Sequence, residues 1–203
     1  MQERAWVRLS SGRRLNLLDP QPDAWSDADL AIGLSRTYRW GGHSSWPLPL
    51  SVAQHSLLVL ALRERSGPLT PAEALRELLH DADEGLLGFD CITPLKPRLG
   101  SSYAALTRRL CRAIALRYRL PAWTNSSHAT HKAADRAAAA SEALHVAGWP
   151  ADEVADIFAG HPVLIDDPLA LVLPPGYAPW QPWAPGVAAE RFLHRMAATG
   201  HLP

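Results

Sequence analysis

Apolar residues in this chain recur mostly at helical spacing, and proline, glycine and capping residues divide them into segments. The clearest helix start is Thr70-Pro71-Ala-Glu73, where Thr70 can cap, Pro71 occupies the first turn and Glu73 completes a capping box. No long run of alternating apolar and polar residues appears, which argues against a Rossmann or barrel fold. The pattern predicts an all-α fold with a small N-terminal β-hairpin over residues 6–18.

The breaks between segments predict a series of helices joined by short loops. The predicted helices cover residues 27–38, 50–65, 70–88, 101–118, 127–147, 151–159 and 186–199. We expect residues 161–186, rich in proline and containing Trp180 and Trp183, to form an ordered loop over the surface. A chain of 203 residues is of single-domain size, so we predict one domain over residues 1–203.

The charge balance limits the classes of partner. Twenty basic and 20 acidic side chains give a formal charge of zero, which removes the electrostatic case for a nucleic acid polymer or an anionic membrane. Cys91 and Cys111 are too few for a disulfide framework and are predicted to be buried thiols. The first residues lack the apolar core of a signal peptide, so we expect a cytoplasmic protein.

The dipeptide His80-Asp81 stands out because it interrupts an apolar helical stretch, Leu-Leu-His-Asp-Ala-Asp-Glu-Gly-Leu-Leu. A buried charge is costly unless it is paired or bound to a metal. Adjacent side chains on a helix point about 100° apart, so the pair can hold one ion only near a turn or kink. Gly85 and Gly88 make such a local relaxation feasible.

Two further polar residues lie in apolar helical segments. His55, in Val-Ala-Gln-His-Ser-Leu-Leu-Val, would by itself fit a hydrogen-bonded core residue. Asp135, in an alanine-rich segment, would by itself fit an Asp–Arg surface pair. Taken with His80-Asp81, they give two imidazoles and two carboxylates from three helices. Such a nitrogen and oxygen set suits a divalent first-row metal with positions left open for water.

Five short stretches in a fixed order carry a family resemblance. They are Arg39-Trp40-Gly-Gly-His43, Ser51-Val-Ala-Gln-His55-Ser, Leu-Leu-His80-Asp81-Ala-Asp-Glu84, Thr93-Pro-Leu-Lys96 and Ala134-Asp135-Arg-Ala-Ala. In this order the chain resembles the HD-domain superfamily of metal-dependent phosphohydrolases, in the branch that contains bacterial 5′-deoxynucleotidases. The similarity covers about residues 10–160 and implies an HD-domain helical bundle. Residues 161–203 would be a C-terminal extension rich in proline and tryptophan, with a last helix.

The resemblance also implies roles for individual residues. It implies four ligands for a divalent metal ion (Mn, Co, Fe, Mg or Zn): His55, His80, Asp81 and Asp135. It implies a catalytic Glu84, and a set of substrate contacts made by Arg39, Trp40, His43, Thr93 and Lys96. The alternative roles are helix solvation for Glu84, core packing for Trp40 and solvated charges for Arg39 and Lys96.

The implied activity is removal of phosphate from nucleotides. We favour (deoxy)nucleoside 5′-monophosphates, because no clear additional basic cluster for a triphosphate is present, although Arg13, Arg14 and Arg136 could serve. The alternatives are a (deoxy)nucleoside triphosphate phosphohydrolase, a non-catalytic nucleotide-binding sensor that keeps the metal site, and a helical scaffold with accidental motifs. A nucleotide is the expected partner, without a membrane, and the resemblance adds a homodimer as a candidate assembly. His128 and His131 either line the same cleft or are exposed or capping residues.

Overall fold

The computed structural model describes residues 5–200 and shows an all-α fold with a two-stranded antiparallel hairpin at its start. Strand β1 (Trp6–Arg8) pairs with β2 (Arg14–Asn16). The described helices are α1 (Asp27–Arg36), α2 (Val52–Arg65), α3 (Pro71–Leu78), α4 (Ala82–Leu87), α5 (Gly100–Tyr118), α6 (Asn125–His145), α7 (Ala151–Ile157) and α8 (Pro185–Ala198). None of these helices combines the length and the apolar character needed to cross a lipid bilayer.

The hairpin is fastened to the helices through Asp29, in the first turn of α1. The Asp29 carboxylate completes a capping box with the N-cap residue Ser26 and also accepts hydrogen bonds from the backbone N–H and hydroxyl of Ser11. Leu15 of β2 is fully buried in the core. The carboxylate therefore connects the turn of the hairpin to the start of α1.

We expect Asp29→Asn to lower the free energy of unfolding by about 1–2 kcal/mol at neutral pH. Burial acts to raise the pKa of Asp29, but hydrogen bonds from Ser26 and Ser11 outweigh it and hold the pKa below its usual value. A lowered carboxyl pKa stabilises the fold above the unfolded-state pKa of about 3.9, and this contribution is lost as the pH falls through the folded-state pKa.

Urea unfolding of the wild-type protein and Asp29→Asn should therefore differ at pH 7 and converge in strong acid. Asp23→Asn, a change at an exposed carboxylate close in sequence, serves as the control and should leave the unfolding free energy unchanged. A difference between the wild type and Asp29→Asn that is independent of pH would contradict the assigned role of the Asp29 charge.

The helix predicted over residues 70–88 is broken in the structure. Helix α3 ends at Leu78 and α4 begins after Asp81, which has φ −111° and ψ 23°. The break falls at His80-Asp81 itself, and not at Gly85 or Gly88. Because the chain leaves helical geometry at this point, two adjacent side chains can face the same side.

Gly85 has a different role, in the close packing of α4 against α1. A Cβ atom built on Gly33 would lie 2.2 Å from the carbonyl oxygen of Gly85, and one built on Gly85 would lie 2.6 Å from the side chain of Leu34. Distances this short leave no room for a side chain at either position. The two glycines therefore allow α4, which carries Glu84, to lie directly on α1.

The C-terminal residues belong to the main core. Helix α8 packs against α1 and α2, with Phe192 fully buried. The expectation that residues 161–186 pack over the surface is wrong for Trp180 and Trp183, which are 7% and 1% exposed. The side-chain amide of Gln54, on α2, donates a hydrogen bond to the carbonyl of Gln181 and accepts one from the backbone N–H of Trp183. These two hydrogen bonds hold the loop against α2, with both tryptophan rings buried.

Candidate metal site and adjoining pocket

The side chains predicted as metal ligands converge from three parts of the fold: His55 on α2, His80 and Asp81 at the break after α3, and Asp135 on α6. The Nε2 atom of His55 lies 3.3 Å from Nε2 of His80 and 3.4 Å from Oδ1 of Asp135. The Oδ2 atom of Asp81 lies 3.6 Å from Nε2 of His55 and 3.2 Å from Nε2 of His80. One ligand atom each from His55, His80 and Asp135 lies within 4.8 Å of the others.

Hydrogen bonds on the far side of each imidazole fix its orientation. Nδ1 of His55 donates to Oε1 of Glu142 at 2.6 Å, and Nδ1 of His80 donates to the backbone carbonyl of Glu77 at 2.8 Å. When both rings are neutral, each carries its one N–H at Nδ1, and both Nε2 atoms present lone pairs. These lone pairs then face one another and the carboxylate oxygens of Asp81 and Asp135, which are also acceptors. A cation, either a proton on an imidazole or a metal ion, is needed to satisfy them.

The spacing of these atoms fits a divalent cation. Ligands held about 2.1 Å from one ion, in tetrahedral or octahedral arrangement, lie roughly 3.0–3.4 Å apart. Four of the six separations among these atoms are 3.2, 3.3, 3.4 and 3.6 Å, of which the first three lie in this range. Two imidazole nitrogens with two carboxylate oxygens are donors that first-row divalent metals accept. His55, His80 and Asp135 can therefore hold such an ion, while Asp81 lies close to both imidazoles but outside the group whose ligand atoms all lie within 4.8 Å of one another.

The electric field at the cluster also favours a cation. Burial and the nearby Arg39 act to lower the pKa of His55, yet Glu142 and Asp135 outweigh them and raise it to about 9. Burial acts to raise the pKa of Asp135, but the hydrogen bond from His55 and the charge of His80 hold it well below its usual range. Positive charge is thus stabilised at this point of the fold.

Glu142 connects the candidate metal ligands to the candidate substrate contacts. Its carboxylate is fully buried and accepts hydrogen bonds from Nδ1 of His55, from Nε of Arg39 at 2.7 Å and from Nε1 of Trp40 at 3.3 Å. The sequence analysis did not single it out. A signal was present, because Glu142 follows Asp135 by seven residues, two helical turns, and so shares its face of α6.

A second buried carboxylate, that of Glu77, holds His131, whose ring packs against His80. The side chain of Glu77 accepts hydrogen bonds from Nε of Arg63 at 3.0 Å and from Nδ1 of His131 at 2.7 Å. The ring of His131 lies 4.8 Å from that of His80, edge to face. Of the two histidines left open by the sequence, His131 therefore lies behind the cluster, whereas His128 is exposed. Glu77, like Glu142, was not predicted.

Glu84 and Lys96 lie beside the cluster. The Glu84 carboxylate is almost fully buried; Oε1 accepts a hydrogen bond from Nζ of Lys96 at 3.2 Å, and Oε2 has no hydrogen-bond partner within residues 5–200. Burial, with the charges of Asp81 and Asp90, raises the pKa of Glu84 to about 9 despite Lys96. The Lys96 side chain is 43% exposed. The Lys96 side chain is therefore accessible to a ligand, whereas Oε2 of Glu84 is buried without a partner among the described residues.

Arg39 and Trp40 both contact Glu142, the carboxylate that holds His55. Nε of Arg39 is bonded to Glu142, while its two terminal nitrogens make no hydrogen bond in the described part of the chain. The Trp40 ring packs edge-on against Trp149 and Phe158, with centroids 5.2 and 6.5 Å away. Trp40 has φ 58°, a backbone conformation that costs a non-glycine residue about 1–3 kcal/mol. The contacts of its ring and Nε1 hold it there.

The other two predicted substrate contacts are not brought to the cluster by any hydrogen bond. His43 and Thr93 are both exposed, and the side chain of neither forms a hydrogen bond among the residues that the structure describes. Both lie in short irregular segments, His43 directly after a 3-10 turn and Thr93 in the loop between α4 and α5. Their roles stay predictions.

A pocket of about 430 Å³ adjoins the cluster between α4, α5 and the loop that joins them. Cys111, predicted to be buried, is instead exposed on α5 and lines this pocket, while Cys91 is buried. The pocket is lined by His80, Asp81, Asp83, Lys96, Pro97, Tyr103, Ala104, Thr107 and Cys111. Two candidate metal ligands therefore form one wall of a cavity large enough for a small ligand.

Comparison with known proteins yields one informative relative. No protein-family model matches the chain. An uncharacterized protein of Rhodobacter capsulatus is 43% identical over 166 residues, which cover 80% of this chain and 84% of the relative. At this identity, and over most of both lengths, the similarity reflects common descent. The chain therefore belongs to the same family as the uncharacterized Rhodobacter capsulatus protein.

Proposed function

We propose that this protein is a metal-dependent phosphohydrolase of the HD-domain type that removes phosphate from nucleotides, with (deoxy)nucleoside 5′-monophosphates as its substrates. The observation that carries the proposal is the cluster of His55, His80, Asp81 and Asp135, of which His80 and Asp81 line the adjoining pocket. The order of these residues in the chain resembles that superfamily. A cytoplasmic location and a homodimeric assembly are part of the proposal.

The residues around the cluster would have different roles in the reaction. A divalent ion held there would polarise a phosphate oxygen and activate water. Lys96, whose ammonium group lines the pocket, and the terminal nitrogens of Arg39 would bind phosphoryl oxygens and stabilise charge that develops on them. Glu84, with one buried oxygen lacking a partner, would orient or deprotonate the water or protonate the leaving oxygen.

The contacts of three arginines support monophosphates over triphosphates. Arg13 donates to the backbone carbonyls of Asp23 and Trp25. The guanidinium of Arg14 lies over the ring of Trp6, 4.5 Å from its centroid. Arg136 contacts His161 through Nη1 at 3.4 Å. The side chains considered for a longer phosphate chain are therefore engaged elsewhere, and Lys96 and Arg39 suit a single phosphate.

The test is a phosphate-release assay on the purified protein, stripped of metal with a chelator and reloaded with Mn, Co, Mg or Zn. We expect metal-dependent release of phosphate from nucleoside and deoxynucleoside 5′-monophosphates and little release from triphosphates. Stepwise phosphate or tripolyphosphate from triphosphates would instead support the triphosphate alternative. Tight nucleotide binding without turnover would identify a sensor, and a protein without bound metal by elemental analysis would favour a scaffold.

A further inference from the structure

The pocket has a second wall, formed by one face of α5. Tyr103, Thr107 and Cys111 are spaced by four residues and so lie in one row along the helix. At 1.5 Å per residue the row is roughly 12 Å long, which is far more than one phosphate group occupies. The phosphate group of a ligand would bind at the candidate metal ligands and Lys96. The rest of the ligand would then lie against the α5 wall.

Tyr103 is the aromatic side chain of that wall. Its ring is half-buried and lies edge-on to Phe89, with centroids 6.4 Å apart. This contact holds the ring while it lines the cavity. Its neighbours on the wall of the pocket, Ala104 and Thr107, have small side chains, which leaves space beside the ring for a flat group.

We propose that Tyr103 binds the planar base of the substrate, so that the pocket selects base-bearing phosphoesters over base-free sugar phosphates. The inference rests on the proposed function, because the phosphate must lie at the cluster for the base to reach α5. Every base has a π-face, so stacking is tolerant of base identity. Tyr103 therefore selects for the presence of a base and not for one particular base.

The experiment compares Tyr103→Ala and Tyr103→Phe on a deoxynucleoside 5′-monophosphate and on deoxyribose 5-phosphate, in Mn-loaded protein. Loss of one stacking partner is expected to lower the ratio of kcat/KM for the nucleotide to that for the sugar phosphate by about tenfold in Tyr103→Ala. Tyr103→Phe keeps the aromatic face and should keep the wild-type ratio. If Tyr103→Ala does not fold, Tyr103→Leu retains apolar bulk without the aromatic face and should show the same fall.

A measurement of binding affinity, which does not depend on turnover, tests the role of Tyr103 separately from the proposed hydrolase activity. Calorimetric titration of the Mn-loaded protein with the same two phosphoesters should show the same fall in the ratio of their affinities. That fall in a protein without phosphate release would uphold the role of Tyr103 and overturn the hydrolase. Phosphate release with an unchanged ratio in Tyr103→Ala would overturn the role of Tyr103 alone.

Discussion

Replacing His80 with alanine is expected to abolish both metal binding and phosphate release. His80 supplies one of the two imidazoles in the cluster, and its Nε2 atom contacts His55 and Asp81 at 3.3 and 3.2 Å. Loss of an outer partner of a metal ligand typically reduces affinity or activity by about 10–100-fold. Removal of the ligand itself should exceed that range, because three donors from separate segments then face an incomplete coordination sphere.

The measurement is elemental analysis of the purified His80→Ala protein, together with the phosphate-release assay across the metals tested. His194→Ala is the matched control, since His194 is an exposed histidine on α8, and it should keep both metal content and activity. Circular dichroism shows whether the helices persist in each variant. A folded His80→Ala protein that keeps its metal and its full activity would refute the proposed site.

Replacing Glu142 with glutamine is expected to weaken metal binding by about 10–100-fold, although Glu142 would not touch the ion. The carboxylate accepts from three donors, on His55, Arg39 and Trp40. In glutamine one of the two oxygens becomes an NH₂ group, which is a donor. An NH₂ group in place of Oε1 would face the N–H of His55, and one in place of Oε2 would face the N–H groups of Arg39 and Trp40, so His55 or Arg39 loses its orientation.

Titration of metal-free Glu142→Gln with Mn²⁺, followed by calorimetry, measures this effect on affinity. Glu153→Gln, at an exposed glutamate of α7, should bind Mn²⁺ like the wild type. Glu142→Ala is a harsher test of the fold, because it leaves the Arg39 charge without its partner and should cost about 3–5 kcal/mol of stability. Wild-type affinity for Mn²⁺ in Glu142→Gln would show that the carboxylate does not position His55.

Helix starts were the part of the fold that the sequence predicted best, because capping is a local interaction. Thr70, Pro71 and Glu73 form the predicted cap of α3, and Ser26 caps α1 through a capping box. Each cap depends on residues three or four apart, which a sequence pattern contains in full. The helix periods and the absence of alternating strands were likewise enough to predict an all-α fold.

Features that depend on distant residues escaped prediction. The break at His80-Asp81 lies in a stretch with good helical periodicity, and the glycine expected to relax it packs instead against Gly33, 52 positions earlier. Trp183 is drawn into the core by Gln54, 129 positions away. Glu142 shares a helix face with Asp135, but its partners His55 and Arg39 lie 87 and 103 positions away. In each case the decisive contact is with a residue far away in the sequence.

The cluster also gives the fold a potential cross-link. His55 lies 25 positions from His80 and 80 from Asp135 along the chain, and both thiols of the protein are free. An ion bound there would close these long loops, as a disulfide does, and would reduce the conformational entropy of the unfolded chain wherever the ligands stayed attached. Loss of the ion would then loosen the packing of α2, α4 and α6 as well as stop the reaction.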